Sequence, residues 1–116
     1  MSDINTMAEL LLQFRDAANR AGDLGNAEAQ NKAANQVQEA YKRLCTSDPG
    51  KSAIVDLMSD PSPYVRLAAA ARSLQWFPEQ ARRVLEGLRD DKAFHYSFDA
   101  KMTLQEFDKG LLSFDY

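Results

Sequence analysis

The sequence predicts an all-α protein of about six helices arranged in three antiparallel pairs. Three observations carry this expectation. Apolar residues recur at spacings of three and four, the period of one helix face. Caps and prolines punctuate the chain at short intervals, at Asn26, Thr46-Ser47-Asp48-Pro49, Ser62-Pro63, Pro78 and Ser97. No stretch of five or more residues alternates cleanly without fitting a helix better, and there is no Asn-Gly or Asp-Gly hairpin turn.

The first helix carries Ile4, Met7, Leu11, Phe14, Ala18 and Ala21 on one stripe, which Ala8 and Leu12 widen. Ser2 or Asn5 can cap it. Gly22 sits where a helix end favours a left-handed residue, so Gly22-Asp23-Leu24-Gly25 reads as a tight connection. Asn26 caps a second helix to about Leu44, with an inward face of Ala29 or Ala33, Val37, Ala40, Tyr41 and Leu44. Lys42 and Arg43 in its last turn suit the helix dipole. A short third helix runs from Pro49 to about Ser59 and presents Ala53, Ile54, Leu57 and Met58.

The run from Asp60 to Leu74 is the most informative in the chain. Asp60-Pro61-Ser62-Pro63 stops one helix and starts the next, with Ser62 as cap and Pro63 in first position. The helix that follows, to about Leu74, has small residues on nearly every face, so neighbouring helices can approach it closely. Its expected inner face is Val65, Ala68, Ala69 and Leu74. Gln75-Trp76-Phe77 is a connector, and Pro78 opens a fifth helix showing Ala81, Val84, Leu85 and Leu88. After a loop holding His95, Ser97 caps a sixth helix with Ala100, Leu104, Phe107 and Leu111. Gly110 is compatible with fraying or close packing there. The tail Leu112-Ser113-Phe114-Asp115-Tyr116 is expected to fold back, because two aromatic rings favour burial.

A chain of 116 residues suits one domain, taken here as 1–116, and buries roughly 65% of its unfolded surface. The single cysteine, Cys45, excludes an internal disulfide and a thiolate metal cluster. The polar, acidic start and the short apolar runs give no sign of a signal peptide or a membrane span, and a cytoplasmic address is expected. The net charge of -3 is unevenly spread. Residues 63–89 carry Arg66, Arg72, Arg82, Arg83 and Arg89 against Glu79 and Glu86, whereas both flanks are acidic. Such a stripe is either a set of solvated faces paired with local acids or a contact surface, since arginine pairs carboxylates and phosphates through two bonds at once.

At Asp60-Pro61-Ser62-Pro63-Tyr64-Val65-Arg66-Leu67-Ala68-Ala69 the sequence resembles the helix-turn-helix unit of HEAT repeats. The resemblance implies that Asp60 and Arg66 bridge neighbouring units. More widely, roughly residues 8–112 are similar to a small bacterial HEAT-like family catalogued as a domain of unknown function. The similarity lies in Asn31 through Leu44, Val65 through Ala70, Pro78 through Leu88 and Asp99 through Gly110. One departure is Phe107, where the family pattern has tryptophan; the position stays aromatic. The resemblance implies an armadillo-like α-α superhelix and no catalytic residues. Some small HEAT-like bacterial proteins act as immunity proteins beside toxins.

Chemistry-bearing patterns are sparse. Any His-based nucleophilic site needs His95, the only histidine, with Ser97, Asp99 or Tyr96 nearby, and no Gly-x-Ser-x-Gly elbow accompanies it. Asp90-Asp91 lacks calcium-loop spacing, and no phosphate-binding glycine motif occurs. We therefore expect no cofactor and no enzyme activity, but a module that presents a rigid helical surface to another protein, as an immunity or adaptor protein does. Its candidate contacts are Tyr64, Arg72, Trp76, Arg82 and Arg83. Trp76-Phe77 either anchors a partner or fills a gap between helix pairs. Two alternatives are a nucleic-acid-binding module using the arginine stripe, disfavoured by the acidic pI of about 5.1, and a cryptic enzyme around His95.

Overall fold

Six α-helices and one 3-10 turn make up the regular structure of a computed structural model that describes residues 3–22, 26–112 and 114. The helices are α1 (Asp3–Ala21), α2 (Ala27–Leu44), α3 (Asp48–Asp56), α4 (Pro63–Ser73), α5 (Pro78–Asp90) and α6 (Ser97–Asp108), with the 3-10 turn at Leu57–Ser59. No strand occurs among the described residues. Consecutive helices pack on one another: α1 on α2, α4 on α5, and α5 on α6. Short links make such neighbours antiparallel. The chain divides into two compact units, Met1–Leu57 and Met58–Tyr116.

In the first unit, Phe14, Ala17 and Ala18 of α1 are buried, as are Ala33, Val37, Ala40, Tyr41 and Leu44 of α2 and Ile54 of α3. Leu12 does not widen the buried stripe as expected; it is 64% exposed. At 100° per residue Leu12 lies on the far side of the helix from Phe14, and Ala17 completes the stripe instead. Ala29 is exposed, and Ala33 is the inward residue of the two candidates. Arg20 ties α1 to α2, bonding Asp16 at 3.0 Å and donating to Gln36 at 2.7 Å.

The caps follow the sequence. Asn26 accepts from the Ala29 amide at 3.1 Å, and Ser47 accepts from Gly50 at 3.1 Å. Helix α3 begins at Asp48, one residue before the expected Pro49, and tightens into the 3-10 turn after Asp56. Gly50 is buried against the end of α2: a Cβ there would overlap the Leu44 carbonyl oxygen and sit 2.7 Å from its carbon. The expected caps and turn at Ser2 and Asp23-Leu24-Gly25, and the side chains of Ile4 and Asn5, lie outside the described residues.

In the second unit, no residue of α4 is exposed. Val65, Ala69, Ala70, Ser73 and the following Leu74 are buried, and Ala68 and Ala71 are half-buried. The inner face is thus broader than expected and shifted towards Ala70 and Ser73. Small side chains permit this because they add little bulk between helix axes. Ala81, Leu85 and Leu88 of α5 and Ala100 and Leu104 of α6 complete the buried set with Met58 and Phe94.

Two expectations about α6 are corrected. Ser97 is its first helical residue, and the cap position falls to Tyr96, which makes no side-chain cap bond. Gly110 neither frays the helix nor serves close packing: it has φ +72, and a Cβ there would meet nothing within 4 Å. Its amide bonds Phe107 at 3.0 Å while Leu111 bonds Glu106 at 2.8 Å, the paired bonds that close a helix through a left-handed glycine. Leu111 therefore lies beyond the helix and is 70% exposed. Phe114 is half-buried, and the rest of the expected fold-back, at Ser113, Asp115 and Tyr116, lies outside the described residues.

Candidate protein-contact surface

The five arginines of the central stripe are not equivalent. Arg66 donates to the carbonyls of Asp60 at 3.2 Å and Pro61 at 3.5 Å, while the Asp60 carboxylate accepts from the Ser62 amide at 3.0 Å. The resemblance implied that Asp60 and Arg66 bridge neighbouring units; the bond between them here runs from Arg66 to the Asp60 carbonyl and braces the corner that starts α4. Arg72 donates back to Ala68 at 3.0 Å and is half-buried. Arg82 pairs with Asp108, and Arg89 pairs with Asp90 at 2.9 Å. These bonds hold the carboxyls of Asp108 and Asp90 below their ordinary pKa range. Arg83 is exposed, and it differs from the other four in forming no hydrogen bond or ion pair among the described residues.

Arg83 lies beside the turn that joins α4 to α5. There the amides of Trp76 and Phe77 both bond the Ser73 carbonyl, at 3.0 and 2.7 Å. Two donors on one acceptor fold the chain sharply, and Pro78, with no amide proton, starts α5 at once. Phe77 occupies the cap position with φ -134, and its side chain supplies no cap bond. The turn leaves Trp76 half-buried and Phe77 52% exposed. Together with Pro78, Glu79, Gln80 and Arg83 they line a recess of about 310 Å³. The sequence pointed to Trp76 as anchor; Phe77 is the more open ring. The cue was Pro78, which disfavours helical backbone at the preceding residue and so sets Phe77 at a corner between two helices.

Tyr64 is engaged elsewhere. Its ring lies 5.4 Å from Phe94 and 5.9 Å from Tyr96, which are 6.2 Å from each other. This trio fastens the α5–α6 loop to the start of α4, with tilted and edge-on rings in the favoured arrangement. Of the candidate contacts, Trp76 and Arg83 come together at the corner, whereas Tyr64, Arg72 and Arg82 are held in internal contacts.

Around His95 the geometry is open. His95 is exposed, Tyr96 is half-buried in the aromatic trio, and Ser97 is half-buried. Asp99 lies at the surface, but loss of water around its carboxyl raises its pKa. Among the described residues no group of three or more His, Cys, Asp or Glu is placed to hold a metal ion. No described helix is long and apolar enough to cross a membrane.

Two further surface features were not singled out from the sequence. One is a cleft of about 340 Å³ in the first unit, where Thr6, Met7 and Leu10 of α1 face Arg43, Leu44 and Pro49. The other is the outer side of α1, where exposed Leu12 lies among Glu9, Gln13 and Asp16. A cue for the second was present, since these residues stand at helical spacings of three and four.

A family model described as "Domain of unknown function (DUF2019)" matches residues 5–108. No curated protein and no solved structure matches the chain.

Proposed function

We propose that this chain, which belongs to the DUF2019 family, is a non-enzymatic protein-interaction module that meets its partner through the Trp76–Pro78 corner. The observation that carries the reading is the exposed Phe77 ring beside Arg83, the central arginine without an internal partner among the described residues. Aromatic and arginine side chains are the residues most enriched where interfaces concentrate binding energy. The surrounding helix is held firmly: Ala81 one turn on is fully buried, and its amide bonds Phe77 at 3.0 Å. A rigid anchor loses little entropy on binding.

The HEAT-like character of the fold, a bacterial and cytoplasmic setting, and an immunity or adaptor role belong to the same proposal. The double-proline corner and the Arg66 brace support the first. The internal use of Arg66, Arg72, Arg82 and Arg89 favours a protein partner over nucleic acid, because phosphate binding needs several uncommitted cations. The test is a photo-reactive phenylalanine analogue placed at Phe77, with Lys101 as the control position, in cells that produce the chain. The expected result is a discrete light-dependent protein adduct from position 77 and none from 101. Equal labelling from both, or none from 77, overturns the reading.

A further inference from the structure

We infer that the corner's partner is a second copy of this chain, whose α1 outer face lays Leu12 against Phe77 and pairs Glu9 with Arg83. The inference rests on the interaction reading above and names its partner.

Both halves of the contact are on the surface. Leu12 is 64% exposed and Phe77 is 52% exposed. Leu12 stands among Glu9, Gln13 and Asp16, which share one side of α1. Glu9 forms no hydrogen bond or ion pair among the described residues, and Arg83 is in the same state. The α1 patch therefore offers Leu12 beside the acid Glu9, and the corner offers Phe77 and half-buried Trp76 beside Arg83, which is opposite in sign to Glu9. Opposite charges steer encounter and fix register, while the apolar contact supplies the cohesive part. The neighbouring charges bear on the fit. Asp16 is neutralised by Arg20 at 3.0 Å, and Arg15, on the other flank of Leu12, is already engaged. Glu79 lies on the rim of the recess and opposes an acidic guest. The patches are small, so the association is weak and reversible.

Trp76 is the sole tryptophan, so its emission reports on the corner directly. Purified chain is followed by sedimentation velocity and by tryptophan emission across a dilution series. The expected result is a mass that grows with concentration, with emission moving to the red on dilution over the same range. Leu12→Ser and Arg83→Glu each weaken association by about tenfold or more. Glu9→Arg combined with Arg83→Glu restores it, and Glu79→Gln tightens it. Circular dichroism checks the fold of each variant. If the charge swap misfolds, Leu12→Ser on an exposed side chain still decides. A chain that stays monomeric throughout overturns the inference. So does association that leaves Trp76 emission unchanged, or that is indifferent to Leu12→Ser and Arg83→Glu. A discrete adduct to a different protein from position 77, with a monomeric purified chain, sinks self-pairing and leaves the interaction reading standing. No adduct of any kind, to a second copy or to another protein, sinks both.

Discussion

The Arg82 guanidinium of α5 grips both carboxylate oxygens of Asp108 in the last turn of α6, 26 positions along the chain. It also lies 5.8 Å from the centre of the Phe107 ring, close enough for cation–π attraction. One side chain thus joins two helices by charge and by ring contact.

This pair should make stability depend on acid. The bond from Arg82 lowers the Asp108 pKa from the ordinary 3.8, so the folded state favours the ionised form. The contribution is present above about pH 4 and is lost as pH falls through the folded value, because the unfolded chain then binds the extra proton. Asp108→Asn should therefore lower the urea midpoint at pH 7, with the difference shrinking below pH 4 and at high salt. An Asn variant that tracks the parent at every pH would contradict this.

Helix α4 should resist enlargement on its closed side. Ala69 and Ala70 are 0% exposed, so Ala69→Leu or Ala70→Leu should cost roughly 1–3 kcal/mol by overpacking. Ala68→Leu, at a half-buried position, should cost less. Denaturant unfolding of the three variants gives the ranking, and equal losses would show that the helix has no closed side.

Ser73 is fully buried and its Oγ finds no partner among the described residues. A buried hydroxyl left unpaired costs about 1–3 kcal/mol, so Ser73→Ala should be neutral or stabilising. A clear loss of thermal stability would reveal a hydrogen bond at that hydroxyl.

Two glycines should respond in opposite directions. Gly50→Ala places a methyl on the Leu44 backbone and should destabilise by about 1–3 kcal/mol or prevent folding. Gly87 in α5 is exposed with open space around its Cβ position, so Gly87→Ala should stabilise by roughly 0.5–1 kcal/mol. Melting temperatures of the two variants should move apart, and a shared direction would refute the assignment.

The aromatic trio should govern the α5–α6 loop. Tyr64→Leu keeps most of the apolar bulk but removes ring pairing worth about 0.5–1.5 kcal/mol. Amide exchange at residues 92–97 should then accelerate more than exchange within α5. Uniform acceleration would mean that Tyr64 supports the whole unit and not the loop.

The helices were legible in the sequence because their signals are local. Asn26, Ser47 and Ser62 cap the helices that their own amide neighbours begin, and the spacing of Val37, Ala40, Tyr41 and Leu44 sets a buried face without reference to the rest of the chain. Leu12 misled because a two-residue offset on a helix turns a side chain to the far side, and only contact with α2 shows which side is inward. Tyr96 and not Ser97 holds the cap position of α6, and the loop before it packs Phe94 and Tyr96 on Tyr64, a ring far off in sequence.

The sequence by itself determined the helical class, the corners and the excess of arginine in the middle, all of which depend on residues a few positions apart. The tertiary structure decided which of the central arginines are spent on internal bonds and that Arg83, among the described residues, is not. It also decided that Gly50 must lack a side chain and that Phe77 protrudes where Trp76 is partly covered. Those outcomes depend on atoms that meet only after packing, and a one-dimensional pattern carries no record of such distances.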